Sequence, residues 1–182
     1  MTTHALQRSV RSASLIASLV VTANGLVGSS ALAQKVTADF DETANFGAFK
    51  TFAIRDGQLH TASPALDSEL TRRRIESEIE KALTEKGLTK VAQTPDLNVT
   101  YTLGARREVE TEAYPAGWRG LRTRVARVPT TAGNLVIDLR NPKTRSLVWR
   151  GIAADNERDP AKLADKLDDM VRKTLAKYPP KK

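Results

Sequence analysis

"LVIDLRNPKTRSLVWRG", residues Leu135 to Gly151, carries the clearest strand-turn-strand pattern in the chain. Two apolar runs alternate with polar residues at period two, and the Pro-containing segment between them marks a turn. A strand register must put one consistent face in the core. If Asn141 and Arg145 close a loop of Pro142, Lys143 and Thr144, Leu139 falls opposite Leu147 and Ile137 opposite Trp149. Leu135, Ile137, Leu139, Leu147 and Trp149 then share an apolar face, while Asp138, Arg140, Ser146 and Arg150 share the other with Val136 and Val148. A shift of one residue would set Arg140 against Arg145 and mix the faces. The stretch therefore reads as the central hairpin of a sheet, with Trp149 in the core beneath two helices, and not as a joint tryptophan and arginine grip on an anion.

"KVTADFD" from Lys35 to Asp41 alternates Val36, Ala38 and Phe40 against Thr37, Asp39 and Asp41, a half-buried strand. A second strand is expected around Lys50 to Arg55, followed by a polar loop from Asp56 to Ala65. Ser63 as N-cap and Pro64 as first helical residue would open a helix running to about Lys86. Leu66, Leu70, Ile75, Ile79, Ala82 and Leu83 form its apolar stripe, Gly87 its left-handed end, and Leu88 folds back on the last turn. Arg72, Arg73 and Arg74, flanked by glutamates, read as a solvated face with ion pairs one turn apart. "PDLNVTYTLG" gives a third strand, which "RREVETEA" extends or follows as a polar edge strand. After the hairpin, Asp159 suits an N-cap and Pro160 the first position of a second helix. Its stripe is Leu163, Leu167, Met170, Val171, Leu175 and Tyr178, and Pro179 and Pro180 stop it. The order predicts an α+β fold, an antiparallel or mixed β-sheet with two helices packed on one face.

At the N-terminus, Arg8 and Arg11 precede the apolar run Leu15 to Val21, which leads to Ala31-Leu32-Ala33. Basic, then apolar, then Ala-x-Ala is the signature of a secretory leader, so residues 1–33 are expected to be removed and 34–182 to form a single domain. The run is too short to span a bilayer. The chain has no cysteine, which removes disulfides and a lipid-modified first residue from consideration. The formal net charge of +8 would ordinarily suggest nucleic acid. Export points instead to an anionic lipid, a glycan or an envelope protein, in the periplasm.

Chemistry is sparsely signalled. Beyond the leader the only histidine is His60, read as a solvated residue of the polar loop, and no nucleophile elbow, phosphate loop or dinucleotide glycine pattern occurs. Asp39 and Asp41, with Glu42, could hold a hard cation, but an outward strand face accounts for them. Asp155, Asn156, Glu157 and Asp159 lack the glycine and distal glutamate of a calcium loop, and a turn with an N-cap explains them. No cofactor and no metal is expected. The segment from Tyr114 to Thr131 stands apart: it contains Pro115, Gly117, Gly120 and Pro129, no acid, and four arginines. It reads as a basic Gly- and Pro-containing loop. Tyr114, Trp118, Arg119, Arg122, Arg124 and Arg127 could grip phosphate or carboxylate groups while the rings contact an apolar or glycan portion. A merely solubilising loop is the plain alternative.

Taken together, "VTADFD", "NFGAFKTFAI", a helix closing at "EKGL", "PDLNVTY", "GNLVIDLRNPKTRSLVWRGIA" and a last helix ending in "KYP" resemble the domain of unknown function 4136 family, from Val36 to Pro179. That resemblance implies an exported α+β domain, often tethered as a lipoprotein, with no established activity and no catalytic residues to carry over. Gln34 stands where a tethered member would have its lipid-bearing cysteine, which favours a soluble periplasmic protein. The expectation is a non-enzymatic envelope domain that binds an anionic component or a protein partner. The rivals are a metal-dependent hydrolase using Asp39, Asp41 and the acidic group at 155–159, and a structural subunit of an envelope complex.

Overall fold

The central hairpin forms, but two residues away from the expected register. Leu139 pairs with Trp149 and Ile137 with Gly151, in place of Leu147 and Trp149. A two-residue shift leaves side-chain parity intact. Leu135, Ile137, Leu139 and Trp149 are accordingly all fully buried, while Leu147 is only part-buried. The turn is the cause. It is closed by the Asn141 N–H donating to the Ser146 carbonyl at 2.9 Å, with Arg145 in the left-handed region at φ 61° and a register slip between Leu139 and Arg140. The expected three-residue loop between Asn141 and Arg145 is too short to accommodate that slip.

The computed structural model describes residues 34–116 and 121–181. They form a mixed, curled sheet with two helices, α+β overall. The strands are β1 (Lys35–Phe40), β2 (Thr51–Thr61), β3 (Thr89–Lys90), β4 (Leu97–Ala116), β5 (Arg122–Arg140) and β6 (Leu147–Glu157). Their order across the sheet is β1-β6-β5-β4-β2-β3. All neighbours are antiparallel except β2 with β4 and β2 with β3. Parallel strands need a crossover, and the chain makes it through α1 (Glu69–Glu85); α2 (Pro160–Leu175) follows β6.

Strand β2 outruns its expected end at Arg55 and absorbs most of the predicted loop, His60 included. It pairs with β4 as far as Thr61↔Ala105, across an irregularity between Ile54 and Gly57. Gly57 is what permits this. A Cβ there would lie 2.1 Å from Cζ of Tyr101, so only glycine lets the ring cross the strand. The start of α1 is also corrected. Its N-cap is Ser68, whose Oγ accepts from the Thr71 N–H at 3.1 Å. Ser63 instead closes a turn, its carbonyl accepting from Leu66 and Asp67. Leu66 is buried from that turn, whereas Leu70, expected in the stripe, is 76% exposed at the helix start. The stripe that packs is Thr71, Ile75, Ile79 and Leu83. Gly87 takes φ 85° and Leu88 is buried, as read. In α2 the Asp159 cap and five residues of the expected stripe, Leu163, Leu167, Met170, Val171 and Leu175, are found buried as predicted; the helix ends at Leu175, short of the prolines, and Tyr178 is buried from the segment that follows.

The core runs along the alternate positions Leu97, Val99, Tyr101 and Leu103 of β4 and Leu135, Ile137 and Leu139 of β5. Tyr101 donates to Glu76 of α1 at 3.0 Å. Thr174 of α2 and the Trp149 ring both crowd Gly151, where a Cβ would lie 2.3 Å and 2.4 Å from them. One end is closed by aromatic edges: Trp149 meets Tyr178 at 5.7 Å, and Tyr178 meets Phe46 at 5.8 Å. Burial pushes the Tyr178 hydroxyl up to about 12. Trp149→Ala removes the largest buried side chain from this end and should cost about 3 to 5 kcal/mol; denaturant unfolding that loses less than about 1 kcal/mol would contradict its burial.

The parallel pair is fastened at its start by Asp96. One carboxylate oxygen accepts from the Lys50 and Thr51 N–H groups at 3.0 and 3.1 Å and from the Thr51 hydroxyl at 3.0 Å. The backbone bond from Lys50, the hydroxyl of Thr51 and the Thr51 N–H hold the group below the usual carboxylate range. A depressed folded pKa stabilises above the unfolded value of about 3.9 and loses that contribution as pH falls through the folded value. Asp96→Asn should therefore be less stable than the parent near neutral pH by about 1 to 3 kcal/mol. The gap measured by urea unfolding should close in the acid range below about pH 4; a constant gap would rule the carboxylate out as its source.

Candidate functional site

Beyond Ala105 on one strand and Thr131 on the other, β4 and β5 have lost their outer neighbours and pair only with each other. They continue as a two-stranded arm to Ala116↔Arg122, without any shift of register. At about 3.3 Å per residue the arm extends the hairpin by roughly 30 Å. The segment from Tyr114 to Thr131, read from its glycines and prolines as a loop, is thus largely strand. Its β-formers, Thr123, Val125, Val128, Thr130 and Thr131, decide its conformation. Pro129 is tolerated because β5 is an edge there.

Register sorts the expected ligand-binding residues. Tyr114 lies directly opposite Arg124, and Arg122 is diagonal to it on the same face. Opposed side chains have their Cβ atoms about 5 Å apart, so one ring and two guanidinium groups share a patch. Arg122 and Arg124 are exposed, and Tyr114 is 39% exposed. Arg127 pairs with Thr111 on the reverse face and cannot join that patch. Trp118 and Arg119 lie outside the described residues. The same face also carries Glu112, two residues from Tyr114 and diagonal to Arg124, and nearer the root Glu108 and Glu110; of these, Glu108 pairs with Arg106 at 2.6 Å and Glu110 accepts from Asn156 at 2.8 Å. No acid follows Glu112 until Asp138, so the outer arm is cationic.

The other candidates have structural work. On the sheet's polar side Arg150 grips Asp138 through two hydrogen bonds of 2.6 Å, with Arg140 at 3.3 Å. The Asp138 carboxylate keeps the Arg150 guanidinium firmly charged. Arg140 and Arg150 are therefore turned to Asp138 and away from Trp149, which lies in the core. Asp39 pairs across β1 with Arg150. Asp41 is not on the strand with it but in the following turn, where it accepts from the Thr43 N–H at 2.8 Å and hydroxyl at 2.6 Å. Asp155 and Glu157 belong to β6, not to a turn. Both contact Lys166, Asp155 at 3.1 Å, and Asp159 caps α2. Among the described residues no three metal-ligating side chains come together. His60 sits on β2 beside Gln58 at 3.1 Å. Of the arginine triplet, Arg73 pairs with Glu69, Arg72 reaches the Gly57 carbonyl, and Arg74 crosses to Asp168 of α2 at 2.5 and 2.9 Å. That last contact lies outside the expected ion pairs within one helix.

No helix among the described residues is long and apolar enough to cross a membrane. No curated protein matches the chain significantly. Among solved structures, a PDZ domain protein from Parabacteroides distasonis aligns with 82% of this chain at 20% identity and a TM-score of 0.57. This chain spans only 37% of that one. The PelC dodecamer from Paraburkholderia phytofirmans aligns with 79% of this chain and 96% of its own, at 13% identity and a TM-score of 0.48. At these identities the likeness is one of fold, which the first supports and the second is too distant to bear on. The model of the domain of unknown function DUF4136 matches residues 36–180, and with the sheet, helices and arm described above the chain belongs to that family.

Proposed function

We propose that the protein is a non-enzymatic periplasmic domain, exported by its first 33 residues, that binds an anionic component of the cell envelope through the outer part of the β4–β5 arm. On this reading α1 and α2 pack together on the apolar face of the sheet. They bury its core and leave the arm as the part of the molecule free to engage a ligand. The single observation that carries the reading is the arm's charge: Arg122 and Arg124 are exposed beside Tyr114, with Arg127 behind them and no acid between Glu112 and Asp138. Arginine forks suit phosphate, sulfate or carboxylate, and an adjacent ring supplies apolar contact at little entropic cost.

A protein strand is the second reading, favoured by the unpaired backbone edges of the arm, which could each accept another strand. Crosslinking in cells would separate the two, giving one dominant protein adduct only in the second.

The first reading is tested with heparin, a soluble polyanion, by titration calorimetry. Each arginine near an anionic surface contributes about 1 kcal/mol, so Arg122→Gln, Arg124→Gln and Arg127→Gln together should weaken binding about a hundredfold. Binding should also fall steeply with salt. Unchanged affinity in the triple variant, or no binding by the parent, would refute the arm as an anion site.

A further inference from the structure

We infer that the partner of the arm is the surface of an anionic phospholipid bilayer, with the arm lying in the headgroup layer as an amphipathic β-ribbon; this rests on the anion-binding reading above. Charge alone does not select a lipid over a glycan. The apolar side chains do. Of the five large hydrophobic residues exposed among the described residues, three are on the arm, Val109, Tyr114 and Val125, and a fourth, Leu121, immediately precedes β5 at the arm's end, with Leu121 82% and Val125 61% accessible. Exposed apolar residues scattered singly are ordinary. Four gathered on one projecting element and at its end, while the rest of the surface shows only Leu70, are not.

Their placement matches a bilayer interface. The register never changes, so Val109 and Val125 lie on the face that is buried further down the same strands, where it carries Tyr101, Leu103 and Leu135. On the arm nothing among the described residues covers it. Arg122 and Arg124 lie on the reverse face with Tyr114, and Arg127 beside Val125 on the apolar one. Long guanidinium side chains can lay their stems along apolar surface and lift the charged end to phosphate, and a half-exposed tyrosine suits the same depth. A soluble glycan offers the anions but leaves Leu121 and Val125 in water.

The backbone limits how deep the arm can go. Both of its edges carry unpaired N–H and C=O groups, which are costly to place in hydrocarbon. The arm therefore stays in the hydrated headgroup layer, and with a reach of roughly 30 Å it can do so while the body stands clear.

Co-sedimentation with vesicles of phosphatidylglycerol and phosphatidylcholine, compared with pure phosphatidylcholine, tests this alongside heparin binding. The parent should bind the anionic vesicles and not the neutral ones. Leu121→Ser with Val125→Thr, both at exposed positions, should lose at least tenfold in affinity for anionic vesicles and keep its heparin affinity. Arg122→Gln, Arg124→Gln and Arg127→Gln together should lose both. Vesicle binding by the apolar variant equal to the parent's would overturn the inference. So would a parent that binds heparin but not vesicles, which leaves the anion-binding reading standing. A parent that binds neither probe would remove both.

Discussion

The unbroken ladder between β4 and β5 is the constraint on which the molecule depends. From Asn98↔Arg140 to Ala116↔Arg122 its parity never changes. Over the first half, β2 and β6 flank it and one face becomes core; over the second half, both neighbours have ended. A two-stranded ribbon alone is marginal in water. This one is held in register because its root is the middle of a six-stranded sheet. The same alternation that buries Leu103 thus delivers Val109 and Val125 uncovered and sets Tyr114 with Arg124 on the reverse.

What holds the body together is close packing more than charge. Arg74 and Asp168 join α1 to α2, yet their side chains are 39% and 42% exposed, and pairs of that kind contribute at most about 1 kcal/mol. The apolar stripes of the two helices, with Ile75, Ile79, Leu83, Leu167 and Met170 at 1% exposure or less, weigh far more. Approach is close where glycine stands in a strand. A Cβ at Gly133 would lie 2.5 Å from Leu163, as one at Gly57 or Gly151 would strike Tyr101 or Thr174. The ring of Trp149 fills the space opened at Gly151.

Sequence periodicity recovered most of this body because its causes are local. The stripe of α2, the Asp159 cap, the Gly87 terminus and the face of Trp149 each follow from residue spacing within one element. The errors share a cause in turn. Read as punctuation, Gly57 with its polar neighbours ends β2 at Arg55, and Pro115, Gly117, Gly120 and Pro129 make a loop of the arm. In the structure Gly57 makes room for Tyr101 and Pro129 sits on an edge; both follow from what the strand lies beside. The pair Ser63-Pro64 likewise reads as a helix start, but the chain turns there to bury Leu66 and caps α1 at Ser68.

The candidate site was half legible. Its residue types stand together in the sequence, four arginines with two rings and no acid, so the sequence alone determined that this segment is cationic, and likewise that the chain is α+β with a buried Trp149. That its described residues pair as strands, with Arg122 and Arg124 on the face of Tyr114 and Arg127 on the other, comes from the fold. The reason is that composition and period are properties of one strand. Which residues meet across a hairpin is set by pairing, and the pairing of the arm is imposed from the sheet in which it is rooted.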